Sequence, residues 1–273
     1  SPKVEETVVA ATISKISKDG KTIWFELPIK QDKVYHLKLN NVKAQDGSTM
    51  SNQNAYYTVN WKVDGPTDEE KAKIAVAVKR LKRLGPNKKR RILIFSRTKS
   101  EYSTTSSYSV EAFKQLGKTS GAYDVVVSNE ISFFEKEKIG QFDAIMLNHA
   151  NGEVFLPKNL DELPATTKKN LLERDKRLKE NIKYFVKSGK GLFGLHATTS
   201  AFGINIDTQK TGLNKFRNIP KHQGKASGWS KEYGKGRVFY TTLGDTHQHY
   251  WNRAILQHWL EAMQYVIGDL KIK

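Results

Sequence analysis

A histidine follows an apolar segment of strand length near the middle of this sequence. The run Gly191–Leu195 has the composition of a buried strand, and His196 comes next, before the small residues Ala197 to Thr199, which permit a sharp turn. Near neutral pH, imidazole can act as a general acid or base, orient a substrate or bind a metal ion. His196 is therefore a candidate for chemistry, and the alternative is a histidine that holds the turn by a hydrogen bond.

Other polar residues follow further apolar segments of the same half of the chain. We predict His196, Asp245 and His247 as an acid/base set, because a carboxylate can orient an imidazole and stabilise its charged form. The spacing of His247 and His249 is a weak signal for metal ligands, so the sequence specifies no cofactor and a divalent metal stays an open alternative. The predicted substrate-binding residues are Arg97, Thr98, Asn148, His149, Thr198, Trp229 and Tyr233.

Strands and helices alternate along residues 91–273. Apolar segments at 91–96, 123–127, 142–148, 191–195 and 237–243 read as strands, and helical spacing recurs at 108–116, 167–187 and 252–267. Such alternation predicts an α/β fold with a parallel sheet covered on both faces by helices. Ligands bind at the carboxyl ends of such strands, where most of the polar candidates stand.

The first third of the chain has a different pattern. Residues 1–63 predict short antiparallel strands separated by Asp-Gly turns, which would form a small, partial β-sandwich-like (Ig-like) module. Residues 64–90 predict a linker helix, because Thr67 and Glu70 have the spacing of a capping box and apolar residues then recur at helical intervals. We therefore expect three parts, the third being 91–273.

Composition and charge limit the function classes. The chain has 273 residues, no cysteine and a formal net charge of +18. Without cysteine, disulfides, thiolate nucleophiles and cysteine-ligated zinc are excluded. No apolar run reaches the roughly 18 residues of a membrane-spanning helix, so no membrane span is expected. The charge would attract polyanions, but the basic stretches carry no base-reading motif and no interleaved aromatic residues, so nucleic acid is not expected as a partner.

Three motifs of known chemistry fail. Gly117-Lys118-Thr119 resembles the end of a phosphate-binding loop, but Ala112 occupies the position of the required glycine and the segment ends a helix instead of opening one. The sequence has no G-x-S-x-G elbow and no G-x-G-x-x-G after a strand.

Two segments resemble the trehalose-utilisation (ThuA-like) family. They are Gly-Leu-His-Ala-Thr-Thr at 194–199 and the run from Tyr233 to Gly244, and the resemblance extends over about residues 90–270. It implies a class I glutamine amidotransferase-like fold with a flavodoxin-like parallel sheet, in bacterial carbohydrate metabolism. Residues 1–63 resemble the β module of ThuA-like fusion proteins. The chain, which begins at Ser1, is thus expected to be a processed piece of a longer periplasmic or secreted protein, whose other modules are its partners.

The sequence departs from the family pattern at several positions. Glutamine amidotransferases have a cysteine at the strand-end elbow, so glutaminase chemistry is excluded here. Thr98 follows Arg97 where the family has a histidine, and Asp245 stands in place of the histidine of Leu-Gly-His. The segment 202–228 is short and lacks the family's His-Pro and acidic-aromatic motifs.

Two main hypotheses for the function follow, and the sequence leaves open whether the protein is an enzyme. In the first, it acts on a sugar or an oxidised (keto) sugar by hydrolase- or isomerase-type chemistry, with His196 as acid/base. In the second, it is a degenerate member that binds a glycan or a partner. A polyanion-binding module is a third alternative. Trp229 and Tyr233 could stack on a sugar ring, or they pack in the core.

Overall fold

The computed structural model describes most of the chain, namely residues 7–20, 22–30, 34–40, 43, 47, 54–58, 65–97, 105–201, 221–222, 225–226 and 228–271. The chain divides into two compact units, residues 1–63 and 64–273. No helix among the described residues has the length and apolar character needed to cross a membrane.

Two pairs of antiparallel strands make up the described part of the first unit. Strand β1 (Thr12–Ile16) pairs with β2 (Ile23–Glu26), and β3 (Val34–Lys38) pairs with β4 (Asn54–Thr58). The turn between β1 and β2 contains Gly20 at φ 68°, a left-handed conformation that glycine adopts without steric cost. These small sheets confirm the short antiparallel strands predicted for this region.

The second unit contains the alternating strands and helices. In chain order they are α1 (Asp68–Val78), β5 (Arg91–Phe95), α2 (Ser106–Ser120), β6 (Asp124–Val127), α3 (Lys136–Ile139), β7 (Ala144–Asn148), α4 (Ala165–Lys187), β8 (Gly191–Leu195), β9 (Lys221–His222), β10 (Lys225–Ala226), β11 (Gly228–Tyr233), β12 (Gly236–Thr241) and α5 (Arg253–Val266). Short 3-10 helices cover Ile131–Phe134, Leu160–Glu162, His196–Ser200 and His247–Trp251.

A central sheet confirms the predicted α/β fold. Within the described residues it has six strands in the order β11-β12-β8-β7-β5-β6. All neighbours are parallel except β11, which runs antiparallel to β12 and has no counterpart among the strands predicted from the sequence. The carboxyl ends of β5, β7, β8 and β12 therefore meet at one edge.

The alternation of side chains along β5 separates the two halves of the core. Ile92 and Ile94 face a cluster that includes residues of α1, α2 and α5, whereas Leu93 and Phe95 face a cluster that includes residues of α3 and α4. All four side chains are fully buried. The near-continuous apolar strands of the sequence thus reflect burial on both faces of the sheet.

Helix α1 has the predicted capping box, with the Thr67 side chain accepting from the Glu70 N–H and the Glu70 carboxylate accepting from the Thr67 N–H. The helix ends at Val78, so it covers only part of the predicted range 64–90; beyond it, the N–H groups of Leu84 and Gly85 donate to Gln264 Oε1, at 2.9 and 2.7 Å. Its buried residues Ile74 and Val78 belong to the core of the second unit.

Close backbone packing at the start of β12 gives a stability prediction. A Cβ on Gly236 would lie 1.9 Å from the carbonyl oxygen of Val186 and 2.3 Å from that of Lys190. Because backbone atoms cannot move aside cheaply, we expect Gly236→Ala to lower the free energy of unfolding by about 3 kcal/mol. Urea unfolding monitored by circular dichroism measures this change.

Gly140→Ala is the matched control. No described atom lies within 4 Å of the position where its Cβ would be, and its backbone is right-handed, with φ −64°. The free energy of unfolding should stay unchanged or rise by about 0.4–1 kcal/mol, since alanine restricts the unfolded chain. Equal effects of the two substitutions would contradict the close packing inferred at Gly236.

Candidate active site

The carboxyl ends of two neighbouring parallel strands bring His149 and His196 together. Asn148 at the end of β7 lies opposite Leu195 at the end of β8, and each histidine is the next residue of its chain. The two imidazole rings lie 5.1 Å apart between centroids, with an interplanar angle of 49°. The sequence indicates both residues as candidates, and the structure adds their contact.

Both histidines have left-handed backbone conformations. Their φ angles are 53° at His149 and 57° at His196, and they are the only described non-glycine residues with positive φ. This conformation costs on the order of 1–3 kcal/mol for a residue with a Cβ. The Tyr240 hydroxyl donates to the His196 carbonyl at 2.7 Å, and the His149 N–H donates to the Leu195 carbonyl at 3.3 Å. Strained residues of this kind cluster at functional sites, so the backbone itself marks this edge.

His149 is buried and neutral. Only 3% of the residue is exposed, and burial, followed by the neighbouring His196, lowers its pKa to about 3. Its Nε2 lies 3.2 Å from the Tyr250 hydroxyl, and that hydroxyl donates to the Gly244 carbonyl at 2.7 Å. Since tyrosine has one hydroxyl proton, His149 donates through Nε2–H, which assigns its tautomer.

His196 is less buried than His149 and feels the charge of a carboxylate. Burial lowers its pKa, and the nearby negative charge of Asp245 opposes this shift. Its Nδ1 is buried and has no hydrogen-bond partner among the described residues. Of the two imidazoles, His196 is therefore the one that can accept a proton more easily.

Asp245 also approaches His249, at 3.3 Å between Oδ1 and Nδ1. The same Nδ1 accepts a hydrogen bond from the Gly244 N–H at 2.9 Å, so it carries a lone pair rather than a proton. The contact is then not an ion pair through that atom, and the charge of Asp245 is not neutralised by His249.

The third member of the predicted acid/base set, His247, packs against a different group. Its ring stacks on Tyr108, with 4.2 Å between centroids and an interplanar angle of 12°. The Tyr108 hydroxyl donates to Glu70 Oε2 at 2.6 Å, and this hydrogen bond is the main cause of the lowered pKa of the Glu70 carboxyl. The structure thus places His196 and Asp245 in electrostatic contact and joins His247 to helices α1 and α2.

Asn148 joins the sheet to helix α2. It is buried, and its Nδ2 donates to Ser96 Oγ at 2.7 Å and to the Ser106 carbonyl at 2.9 Å, while its Oδ1 accepts from Ser109 Oγ. Because both ends of this amide are bonded within the protein, the geometry gives Asn148 a positioning role.

Two further substrate-binding candidates follow β5. Arg97 is half-buried at the same edge as His149, and burial, followed by the charge of Arg174, lowers the pKa of its guanidinium. Thr98 lies outside the described residues. Arg97 thus places a positive charge at the carboxyl end of β5, near the charges of Arg174 and Glu130.

Thr198 lies over the end of β8. It is fully buried, and its Oγ1 would come within 2.6 Å of a Cβ at Gly194. The hydroxyl has no hydrogen-bond partner among the described residues. The absence of a side chain at Gly194 is therefore what permits the turn that carries His196.

The two aromatic candidates on β11 lie at opposite ends of the sheet. Trp229 is paired with Tyr240 near the carboxyl end of β12, with 5.7 Å between ring centroids, whereas Tyr233 is paired with Gly236 at the amino end. Trp229 therefore lies toward the end that carries His196, and Tyr233 does not.

Metal-binding candidates are few in the described part of the chain. It contains no group of three or more histidine, aspartate or glutamate side chains arranged to hold a metal ion. His247 and His249 stay a weak prediction, since the first stacks on Tyr108 and the second accepts from Gly244.

Tyr250 and Tyr240 are site residues that the sequence pattern does not indicate. Their hydroxyls fix His149 Nε2 and the His196 carbonyl. Tyr250 directly follows the His247–His249 spacing, and Tyr240 ends the aromatic part of β12, so their positions give a weak signal. Their partners are distant in sequence and could not be inferred.

The solved structures similar to this chain include three partial neighbours. No family model matches the chain, and no curated protein does. A Bacteroides uniformis protein described as ThuA-like is 16% identical with a TM-score of 0.29, and the match covers 43% of this chain and 39% of that protein, less than two thirds of its length. Two cytoplasmic proteins of Salmonella typhimurium are each 12% identical, with TM-scores of 0.43 and 0.41; the matches cover 65% and 64% of this chain and 98% and 99% of theirs.

The buried state of His149 predicts a pH-dependent stability. Its pKa is about 3 in the folded protein against an ordinary 6.5, so the unfolded chain takes up this proton at higher pH than the folded one. The stabilisation by neutral His149 is complete above pH 6.5 and is lost as the pH falls toward 3. One such histidine adds up to about 1.4 kcal/mol per pH unit to the slope of the free energy of unfolding against pH.

We expect His149→Asn to remove that contribution between pH 5.5 and 4, because asparagine tolerates left-handed φ and does not titrate. Urea unfolding at each pH measures the slope. Tyr250→Phe is the control, since it removes the neighbouring hydroxyl and should lower stability while leaving the slope in place. An unchanged slope in His149→Asn would show that His149 is not held neutral.

Proposed function

We propose that the second unit is an acid/base catalyst that acts on a sugar or an oxidised sugar, with His196 as the proton-transferring residue. The observation that carries this proposal is the pair of imidazoles held in left-handed conformations at adjoining strand ends, with the charge of Asp245 acting on both. Two titratable groups whose surroundings push their pKa values apart are typical of assigned acid and base roles.

The surroundings give the two histidines different tasks. His149 stays uncharged and is a weak base, so it can serve as a hydrogen-bonding group and does not repel a positive charge on its neighbour. His196 can take a proton, and Asp245 stabilises the imidazolium that results. The partly buried Arg97 supplies a positive charge at the same edge, suited to a developing oxyanion.

Proton transfer at a carbon beside a carbonyl is the reaction that this set supports best. His196 would remove the proton from a hydroxyl-bearing carbon beside the carbonyl; the electrons of the broken C–H bond would form a C=C bond and the carbonyl π electrons would move to the oxygen, giving an enediolate. The hydroxyl proton of the first carbon would pass to this oxygen, and His196 would return its proton to the former carbonyl carbon, so that the first carbon becomes the new carbonyl. This sequence isomerises a keto-sugar without any other reactant. It also agrees with the absence of cysteine, which excludes the glutaminase chemistry of related folds.

The sugar class rests on the resemblance of residues 194–199 and 233–244 to the ThuA-like family. By the same resemblance, we propose that the chain belongs to a bacterial, secreted or periplasmic protein of carbohydrate metabolism. One structural neighbour carries the ThuA-like name, and the neighbour proteins from Salmonella are named cytoplasmic.

Deuterium exchange tests the reaction. We expect the protein to catalyse incorporation of deuterium from D₂O at the carbon beside the carbonyl of a keto-sugar, measured by proton NMR. His196→Asn should slow this exchange by about 10²–10⁴-fold, the usual contribution of a general acid or base, since asparagine keeps the backbone conformation.

His36→Asn is the control, because His36 lies exposed on β3 of the first unit. Its exchange rate should equal that of the unmodified protein. If no keto-sugar exchanges, and glycans bind equally well to the unmodified protein and to His196→Asn, the non-catalytic glycan-binding alternative replaces this proposal.

A further inference from the structure

A basic cleft lies at the other end of the central sheet. It is placed where β5 and β6 begin, beside the loop that precedes β5 and the last turns of α2, and has a volume of about 530 Å³. The five-residue strand β5 separates this end from the carboxyl edge by roughly 16 Å. Its lining includes Lys88, Lys89, Arg90, Lys114, Lys118 and Asp124.

Most of the positive charge in this cleft is not neutralised by the protein. Lys88, Lys89, Lys114 and Lys118 are exposed, and none of them forms an ion pair within the described residues. Among the described residues, Asp124 is the one carboxylate that lines the cleft. Four like charges around one concave surface raise the local concentration of anions.

The framework of the cleft is fixed by hydrogen bonds and ion pairs. Arg90 is held by Asp269 and by Asp143, the latter at 3.4 Å between Nη1 and Oδ1. Arg83 Nη1 donates to Asn87 Oδ1 at 2.9 Å and to the Gly121 carbonyl at 3.0 Å. The hydrogen bond to Gly121 places the Arg83 guanidinium at the carboxyl end of α2, where its positive charge offsets the negative end of the helix dipole. The lysines, which form no ion pair within the described residues, are thus the side chains of the cleft that are left to bind a ligand.

The chemistry of the lining favours anionic groups over bases. Of the described lining residues, Tyr123 is the one aromatic, and it is only 4% exposed, so this part of the cleft offers no surface for stacking bases. Lysines act as point charges for phosphate or sulfate, whereas base edges are commonly read by arginine, and Arg90 is already paired. The volume suits a small ligand.

We propose that this cleft binds a small polyanion that carries several phosphate or sulfate groups close together. The four lysines supply the attraction, and Arg90, Arg83 and Asn87 hold the loop in place. The site is separate from the histidine pair, so its occupancy does not depend on the proposed reaction.

Calorimetric titration of the full chain tests the proposal. The probes are inorganic tripolyphosphate, a heparin tetrasaccharide and a twelve-nucleotide oligothymidylate, and the first two distinguish phosphate from sulfate as the source. We expect at least one of these two to bind, with an affinity that falls as salt rises. Lys114→Gln/Lys118→Gln should weaken this binding about tenfold or more, since both side chains lie one turn apart on α2.

Lys169→Gln/Lys176→Gln is the matched control, because it removes the same charge from exposed positions on α4. It should leave the affinity within about twofold, as screening at physiological salt limits distant charges. The proposal is overturned if neither small polyanion binds, if both double variants weaken binding equally, or if the oligothymidylate binds more tightly than both. Binding by either small polyanion that is lost only in the α2 variant supports it.

Discussion

The parallel register between β7 and β8 is the constraint on which the candidate active site depends. It sets Asn148 opposite Leu195 and so places His149 beside His196. A slip by one residue would turn every side chain of one strand to the other face of the sheet and would remove Met146 and Phe193, both fully buried, from the cluster in which they pack. The core on both faces therefore fixes the geometry of the two histidines.

Two glycines of β8 allow the surrounding elements to approach closely enough. A Cβ on Gly191 would lie 2.4 Å from the Val266 carbonyl oxygen, which shows how tightly the end of α5 packs on this strand. At the other end, Gly194 leaves room for Thr198 and hence for the turn after His196. The apolar side chains of β8 thus bury the strand, and its glycines permit the close packing and the turn that carries the strained His196.

Burial separates the protonation behaviour of the two imidazoles. His149 lies among protein groups and is fixed by Tyr250, while His196 is partly open and near Asp245. Asp245 raises the pKa of both imidazoles, and the deeper burial of His149 is what makes its charged form the more costly one. The left-handed backbone at both positions directs these two side chains toward one another.

The sequence predicted the elements better than their contacts. Apolar runs and helical spacing were sufficient for the α/β fold, and the turn after Leu195 indicated His196. The pairing of His149 with His196, the hydroxyls of Tyr240 and Tyr250, and the hydrogen bonds of Gln264 to the segment after α1 depend on residues far apart in the chain, so local patterns could not specify them. The strand β11 was missed because its residues, Gly228–Tyr233, show no clear apolar alternation.

Nitrogen-15 NMR of the imidazole rings between pH 4 and 8 tests most directly whether the two histidines differ in protonation, with His149→Asn and His196→Asn for assignment. His149 should stay neutral down to about pH 4, whereas His196 should titrate below 6.5 and shift still lower in Asp245→Asn. Titration of both rings together near 6.5, or an Asp245→Asn variant in which His196 titrates unchanged, would contradict the separate roles of the two imidazoles.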